Sequence, residues 1–140
     1  MTYQRYHGSC HCQAVRYEAG FDLADGTNRC NCSICSKARA WFLFVRGDAF
    51  TLLAGEEHLG SYRWQPPGQA EPFLTYRFCQ RCGIRVFATG EWDQMGGRFY
   101  ALHVPTVDDL DREELVDAPL KYVDNLHDRP DRPPADTRLL

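Results

Sequence analysis

Phe78-Cys79-Gln80-Arg81-Cys82-Gly83 holds two cysteines in C-x-x-C spacing, with a glycine directly after the second. Two thiolates so spaced bend round one tight turn and point both sulfurs at a single ion, with zinc–sulfur bonds of about 2.3 Å. Gly83 suits that turn, because the residue after the second ligand often needs the positive φ that glycine tolerates. A knuckle of this kind supplies half of a four-ligand site, so its partners must lie elsewhere in the chain.

Outward from it, Cys10-His11-Cys12 is a C-x-C, and Cys30-Asn31-Cys32-Ser33-Ile34-Cys35 is a C-x-C-x-x-C. Residues two apart in an extended segment share one side, so Cys10 and Cys12 face one ion while His11 faces the other way. Four thiolates make a closed structural zinc site, and three leave a position open, the usual mark of a catalytic zinc. The seven cysteines of the chain divide into four and three. Spacing leaves two partitions. Cys32, Cys35, Cys79 and Cys82 form a zinc-ribbon-like pair of knuckles, which strands Cys10, Cys12 and Cys30. Alternatively Cys10 and Cys12 join Cys79 and Cys82, and Cys30, Cys32 and Cys35 stay together. The second is preferred, because three ligands from one short loop form a self-contained site and the other four tie an early strand to a late hairpin. A plainer arrangement has one four-cysteine zinc and leaves the other three as buried or reactive thiols.

The bulk properties agree with a metal protein. A chain of 140 residues with 44% hydrophobic residues can bury a core as one domain. The formal charge of -3 and pI near 5.9 lack the basic surplus of a nucleic-acid binder. The N-terminal MTYQRYHGSC has no apolar signal-peptide region, and the longest apolar run, Ala40 to Val45, is too short to span a bilayer. The expectation is a cytoplasmic protein with no membrane partner. In such a compartment clustered cysteines point to metal or catalysis before disulfides, and an odd number cannot pair fully within one chain.

The chain reads as mainly β. Val15, Tyr17 and Ala19 share one face of a strand from Gln13 to Ala19. Trp41 to Val45 is a continuous apolar run expected to be a buried strand. Ala49–Leu53, Leu59–Trp64, Phe73–Phe78, Ile84–Thr89 and Arg98–Val104 complete the set, punctuated by glycine and proline. One short C-terminal helix is expected from an Asp111 N-cap to about Ala118, where Pro119 follows. A brief helical turn is expected after Cys35, through Lys37 and Ala38. Residues 1–128 form the zinc-binding domain, and 129–140 a Pro- and charge-rich tail expected to be loosely ordered.

These motifs resemble the glutathione-dependent formaldehyde-activating enzyme family, also called the centromere protein V family. The resemblance rests on Gly8-Ser9-Cys10-His11-Cys12, on Cys30-Asn31-Cys32-Ser33-Ile34-Cys35 and on Phe78-Cys79-Gln80-Arg81-Cys82-Gly83. Val107-Asp108-Asp109-Leu110-Asp111, Glu113-Glu114-Leu115 and Tyr122-Val123-Asp124 extend it, leaving out only the final tail. Gln13 departs from the pattern, which commonly has glycine there. The resemblance implies a single-domain β-tent zinc fold, a structural zinc on Cys10, Cys12, Cys79 and Cys82, and a labile catalytic zinc on Cys30, Cys32 and Cys35. It implies a carbon–sulfur lyase that takes a small thiol such as glutathione, with formaldehyde or a related aldehyde, to a thiol adduct such as S-hydroxymethylglutathione.

Glutathione carries two carboxylates that need basic partners, and Arg29, Lys37 and Arg39 flank the triplet; the alternative for all three is solvated surface charge. Trp41 and Phe42 either wall a pocket or pack in the core. Of the histidines, His7 and His58 carry no motif, and His103 sits in the apolar stretch Leu102-His103-Val104. His127, beside Asp124 and Asp128, either serves as an oriented base or a fourth zinc ligand, or lies in a plain surface turn, the first expectation for any single histidine here. Two other functions compete with the enzyme: a non-catalytic zinc-stabilised binding module, and a thiol redox protein using Cys30, Cys32 and Cys35.

Overall fold

The computed structural model of the chain describes residues 1–140. Its strands and α-helices are β1 (Tyr3–Ser9), β2 (Arg16–Asp22), β3 (Thr27–Cys30), α1 (Ser33–Ala38), β4 (Trp41–Arg46), β5 (Phe50–Ala54), β6 (Leu59–Trp64), β7 (Leu74–Cys79), β8 (Arg85–Trp92), β9 (Gly97–His103), α2 (Arg112–Asp117) and β10 (Leu120–Val123). The fold is mainly β, as expected. A three-stranded sheet runs β1-β2-β5, and a seven-stranded sheet runs β10-β3-β4-β9-β8-β7-β6. All pairs are antiparallel except β10 with β3. No helix is long and apolar enough to cross a membrane.

Period-two alternation decides the packing. Val15, Tyr17 and Ala19 are buried while Arg16 between them is exposed. With Phe21 they meet Leu43, Val45, Val86 and Leu102 of the large sheet in the main core. The opposite face of the large sheet carries a second, smaller cluster. Ala88 and Ala101 are cross-strand partners there, and their small side chains leave room for Ile34 and Cys35 of α1, with Tyr76 alongside. The triplet cysteines therefore lie on the far side of the large sheet from the main core.

Several elements differ from expectation. β4 is half-buried rather than buried on both faces: Leu43 and Val45 point inward, while Phe44 is 39% exposed. An all-apolar run hides that alternation. α1 begins at Ser33, before Cys35 rather than after it, with Cys32 at its N-cap accepting from the Ser36 amide (2.8 Å). It is a second helix beyond the C-terminal one. At α2 the Asp111 carboxylate accepts from the amides of Glu113 (2.9 Å) and Glu114 (3.3 Å), a cap that contributes about 1 kcal/mol. The tail is tied back rather than loose. The Arg129 amide donates to the Asp124 carbonyl (2.8 Å), the Asp124 amide donates to the Arg132 carbonyl (3.1 Å), and Leu140 is 8% exposed. Composition reports what such a tail lacks, and it is silent about the partners that Asp124 supplies.

Candidate metal centres and the adjoining cleft

The turn after β1 and the turn between β7 and β8 meet sulfur to sulfur. Cys10, Cys12, Cys79 and Cys82 place all four Sγ atoms within 4.8 Å of one another. Cys10 Sγ lies 3.6 Å from Cys12 Sγ, which lies 3.7 Å from Cys79 Sγ. A tetrahedron with metal–sulfur bonds of about 2.3 Å has edges of about 3.8 Å, whereas a disulfide needs about 2.05 Å. Gly83 holds the knuckle with φ 78 and donates its amide to the Cys79 carbonyl (2.8 Å). Val15 donates its amide to Cys10 Sγ (3.3 Å). Burial pushes the Cys10 thiol up to about 11. At Cys82 burial also works upward, but the backbone amides of Cys12 and Ile84 and the thiols of Cys79 and Cys10 bring it down to about 6. A ready thiolate at Cys82 beside a resisted one at Cys10 belongs to a donor set that a cation completes.

The neighbourhood is braced by two stretches far apart in sequence. Ser9 Oγ donates to Asp108 Oδ2 (2.6 Å), and the Asp108 amide donates to the His7 carbonyl (2.8 Å). Gly8 is obligatory beneath this brace, since a Cβ there would come within 2.1 Å of the Tyr17 ring.

The second cluster is contiguous. Cys30 ends β3, Cys32 caps α1 and Cys35 lies in its first turn, with the three sulfurs within 4.8 Å of one another. No histidine or carboxylate joins either set. Neither zinc-ribbon grouping nor a fourth ligand from His127 is what the fold builds. The thiols of Cys32 and Cys35, followed by the Cys32 amide and the Asn125 side chain, hold Cys30 far below the usual thiol range. The Cys30 thiolate in turn pushes Cys32 and Cys35 up. Loss of the first proton is easy and of the next two resisted, which is again the chemistry of a site that fits a dication.

A strap from the C-terminal region holds this loop. Asn125 Nδ2 donates to Cys30 Sγ (3.2 Å), and the Leu126 amide donates to Asn31 Oδ1 (2.9 Å). Asp124, only 2% exposed, accepts from Asn31 Nδ2 (2.7 Å), pairs with His127 Nδ1 (2.8 Å) and pairs with Arg129 (3.1 Å). The Asn31 amide hydrogen bond first, then His127 and Arg129, holds the Asp124 carboxyl below its ordinary range. His127 thus serves the strap.

Beside the triplet opens a narrow cleft of about 10 Å³, lined by Cys35, Phe42, Tyr76, Arg85 and His103 among others. It shares Ile34, Ala38 and Arg85 with a broader one of about 410 Å³ that Lys37, Tyr62 and Trp64 also line. Of the basic candidates, Lys37 borders the broad cleft. Arg29 instead stacks over Trp41 (4.6 Å to the ring centroid), and Arg39 donates to the Leu140 carbonyl (3.4 Å). Phe42 walls the narrow cleft, while Trp41 packs on the main core and donates to Thr27 Oγ1 (2.8 Å). His7 pairs with Asp109 and His58 with Glu57, and His11 is exposed. Arg85 and Tyr76 were not singled out by sequence. Arg85 follows the knuckle by three residues, and that proximity was the available signal.

This is a mainly β protein with a four-sulfur set and a three-sulfur set beside a cleft, each of which could hold a metal ion. The chain belongs to the glutathione-dependent formaldehyde-activating enzyme family, whose profile matches residues 5–122. A relative from Halomonas elongata, whose name provisionally assigns it glutathione-dependent formaldehyde activation, is 39% identical over 84 residues. That match covers 57% of this chain and 53% of the relative, so the chain spans about half the length of the relative it matches. A crystal structure of a Rhodobacter sphaeroides protein superposes with a TM-score of 0.63 at 25% identity, covering 81% of this chain and 98% of that one.

Proposed function

We propose that the chain is a zinc-dependent carbon–sulfur lyase that joins a glutathione-like thiol to formaldehyde or a related small aldehyde, and also runs the reverse cleavage. One observation carries this reading: Cys30, Cys32 and Cys35 form a three-sulfur set with no fourth protein donor, and Cys35 lines a cleft. The family's description and the name of the Halomonas relative speak for glutathione and formaldehyde. All-sulfur donors favour a soft or borderline metal, and zinc fits both sets: structural on Cys10, Cys12, Cys79 and Cys82, and labile on the triplet. When bound to the triplet, zinc lowers the pKa of a thiol and orients it.

The chain's own groups supply the rest. Lys37 and Arg85 offer cations to the carboxylates of the thiol. Tyr62 and Trp64 offer flat faces to its peptide body. Ile34, Ala38, Ala40 and Phe42 keep the narrow cleft apolar and confine the carbonyl partner to a small one. Tyr76, whose hydroxyl proton is retained because burial and the three cysteines oppose its loss, is a hydrogen-bond donor in that cleft. Reduced cysteines suit the cytoplasm.

The test is zinc content by elemental analysis on gently purified protein, with and without glutathione, alongside exchange spectroscopy of ¹³C-formaldehyde and its glutathione adduct. Two zinc ions per chain are expected, the second yielding to a chelator and responding to glutathione, with adduct exchange accelerated by the protein. One tightly held zinc that glutathione never affects, even after zinc is resupplied, would sink the reading.

A further inference from the structure

A residue that lines the narrow cleft carries a buried polar atom without a hydrogen-bond partner. His103 ends β9 and lines the cleft with Cys35 and Tyr76. Its Nδ1 lies 3.2 Å from the Arg85 carbonyl. A carbonyl only accepts, so Nδ1 carries the proton and, in a neutral ring, Nε2 carries the free lone pair. That Nε2 is buried and makes no hydrogen bond. Phe42 packs at an angle to the ring, with centroids 6.2 Å apart.

The ring's surroundings favour the neutral state. Burial lowers the His103 pKa most. The carbonyls of Arg85 and Arg39 work against that, and the guanidiniums of Arg29 and Arg85 add to the depression. Tyr76 and Cys35 are the other titratable groups lining the cleft. An unprotonated nitrogen held beside an apolar-lined cleft calls for a ligand that brings a proton. Neither structural use of the residue needs that nitrogen. The Arg85 clip employs Nδ1, and the His103 carbonyl accepts from Thr106 Oγ1 (2.7 Å).

We propose that His103 Nε2 is the proton relay of the thiol–carbonyl addition. The thiol S–H bond breaks and its proton passes to Nε2. The sulfur electron pair forms the carbon–sulfur bond, and the carbonyl π pair moves to oxygen. That oxygen then takes the proton from Nε2, leaving a hydroxyl and a neutral ring. In the reverse direction Nε2 accepts the hydroxyl proton of the adduct. The inference rests on the function proposed above and deepens it.

The test uses the zinc-loaded full chain with ¹⁵N-labelled histidine. S-(2-hydroxyethyl)glutathione is a stable thioether that keeps a hydroxyl near the position of the adduct's, and S-methylglutathione lacks it. The first is expected to move the His103 Nε2 resonance towards the hydrogen-bonded position, and the second to leave it. In parallel, His103→Asn keeps an amide donor for the Arg85 carbonyl but has no atom in place of Nε2. Its adduct turnover is expected to fall at least ~100-fold, with KM, zinc content and melting temperature near wild type. Binding of both analogues with Nε2 unmoved overturns the relay alone, as does an active wild type matched by a folded His103→Asn. A wild type that binds neither analogue and accelerates no exchange overturns the proposed function and the relay with it.

Discussion

The two cysteine clusters use the same ligand in opposite ways. In the four-sulfur set the ligands come from two turns far apart in sequence, and two of them, Cys79 at 0% and Cys10 at 1% exposure, are sealed in the main core. In the three-sulfur set the ligands come from one stretch of six residues, on the other face of the large sheet, beside a cleft. A site that ties distant segments together spends its binding free energy on folding. A site whose ligands are already neighbours closes little chain entropy and can leave a position open for chemistry. Under the proposed function, ligand origin along the chain, as much as ligand number, separates a structural site from a working one.

The largest expected effect breaks the comparison on its structural side. Cys79→Ser removes a buried ligand of the closed set. Structural zinc sites contribute roughly 10–16 kcal/mol of apparent binding energy, against a net stability of about 5–15 kcal/mol for a whole domain. The variant should lose its cooperative thermal transition and its near-ultraviolet dichroism. A sharp melt close to that of wild type would show that the four-sulfur set does not support the fold.

Cys35→Ser attacks the other side and should behave differently. The loop ligands are contiguous, so the fold survives, with a cost of about 1–3 kcal/mol for a hydroxyl in an apolar cluster. Zinc content should fall by one ion per chain, and adduct turnover at least ~100-fold. A variant that retains full turnover would remove the triplet from the chemistry.

The ligand pattern was the most legible part of the molecule, because metal chemistry constrains residue type and spacing together. The strands with clear alternation or strong turn signals were legible for the same reason. β1, β3 and β10 were not. β1 turns only Tyr6 and Gly8 fully inward, and β3 and β10 have four residues each, too few for a period to emerge. The parallel pairing of β10 with β3 joins residues some ninety positions apart, and that pairing brings Asp124 and Asn125 over the triplet. Their role depends on a contact that no local pattern encodes. His103 was hidden in another way: its apolar neighbours announce a strand, and only the assembled cleft reveals the unpartnered nitrogen.

The strap offers a graded test of the open site. Asn125→Ala removes the amide donor to Cys30 and should weaken metal at the triplet about 10-fold or somewhat more, leaving the four-sulfur ion in place. Competition against a chromogenic chelator reads both. Asp124→Asn should act similarly and add a pH signature. The Asp124 carboxyl is held below its ordinary value in the folded chain, so its contribution to stability is complete above about pH 3.9 and is lost as pH falls through its lower folded pKa. Denaturant unfolding of wild type and variant should therefore differ by a constant amount near neutrality, with the gap closing only in acid. A gap that closed above pH 6 would assign the effect to some other group.

The smallest expected effect sharpens the comparison within the closed site. Gln13 donates its amide to the Cys10 carbonyl (3.1 Å) and adopts φ 64, a left-handed conformation. A non-glycine residue there costs about 1–2 kcal/mol in backbone sterics. Glycine removes that cost but raises the entropy of the unfolded chain by about 0.5–1 kcal/mol. Gln13→Gly should therefore stabilise the protein by less than about 1 kcal/mol, a rise of a few degrees in melting temperature. Metal affinity at Cys30, Cys32 and Cys35 and adduct turnover should stay unchanged, because the turn lies across the large sheet from that loop. If the substitution tightened the closed site and also altered turnover, the two clusters would be coupled through the sheet, and the division between a folding site and a working site would give way to a single cooperative unit.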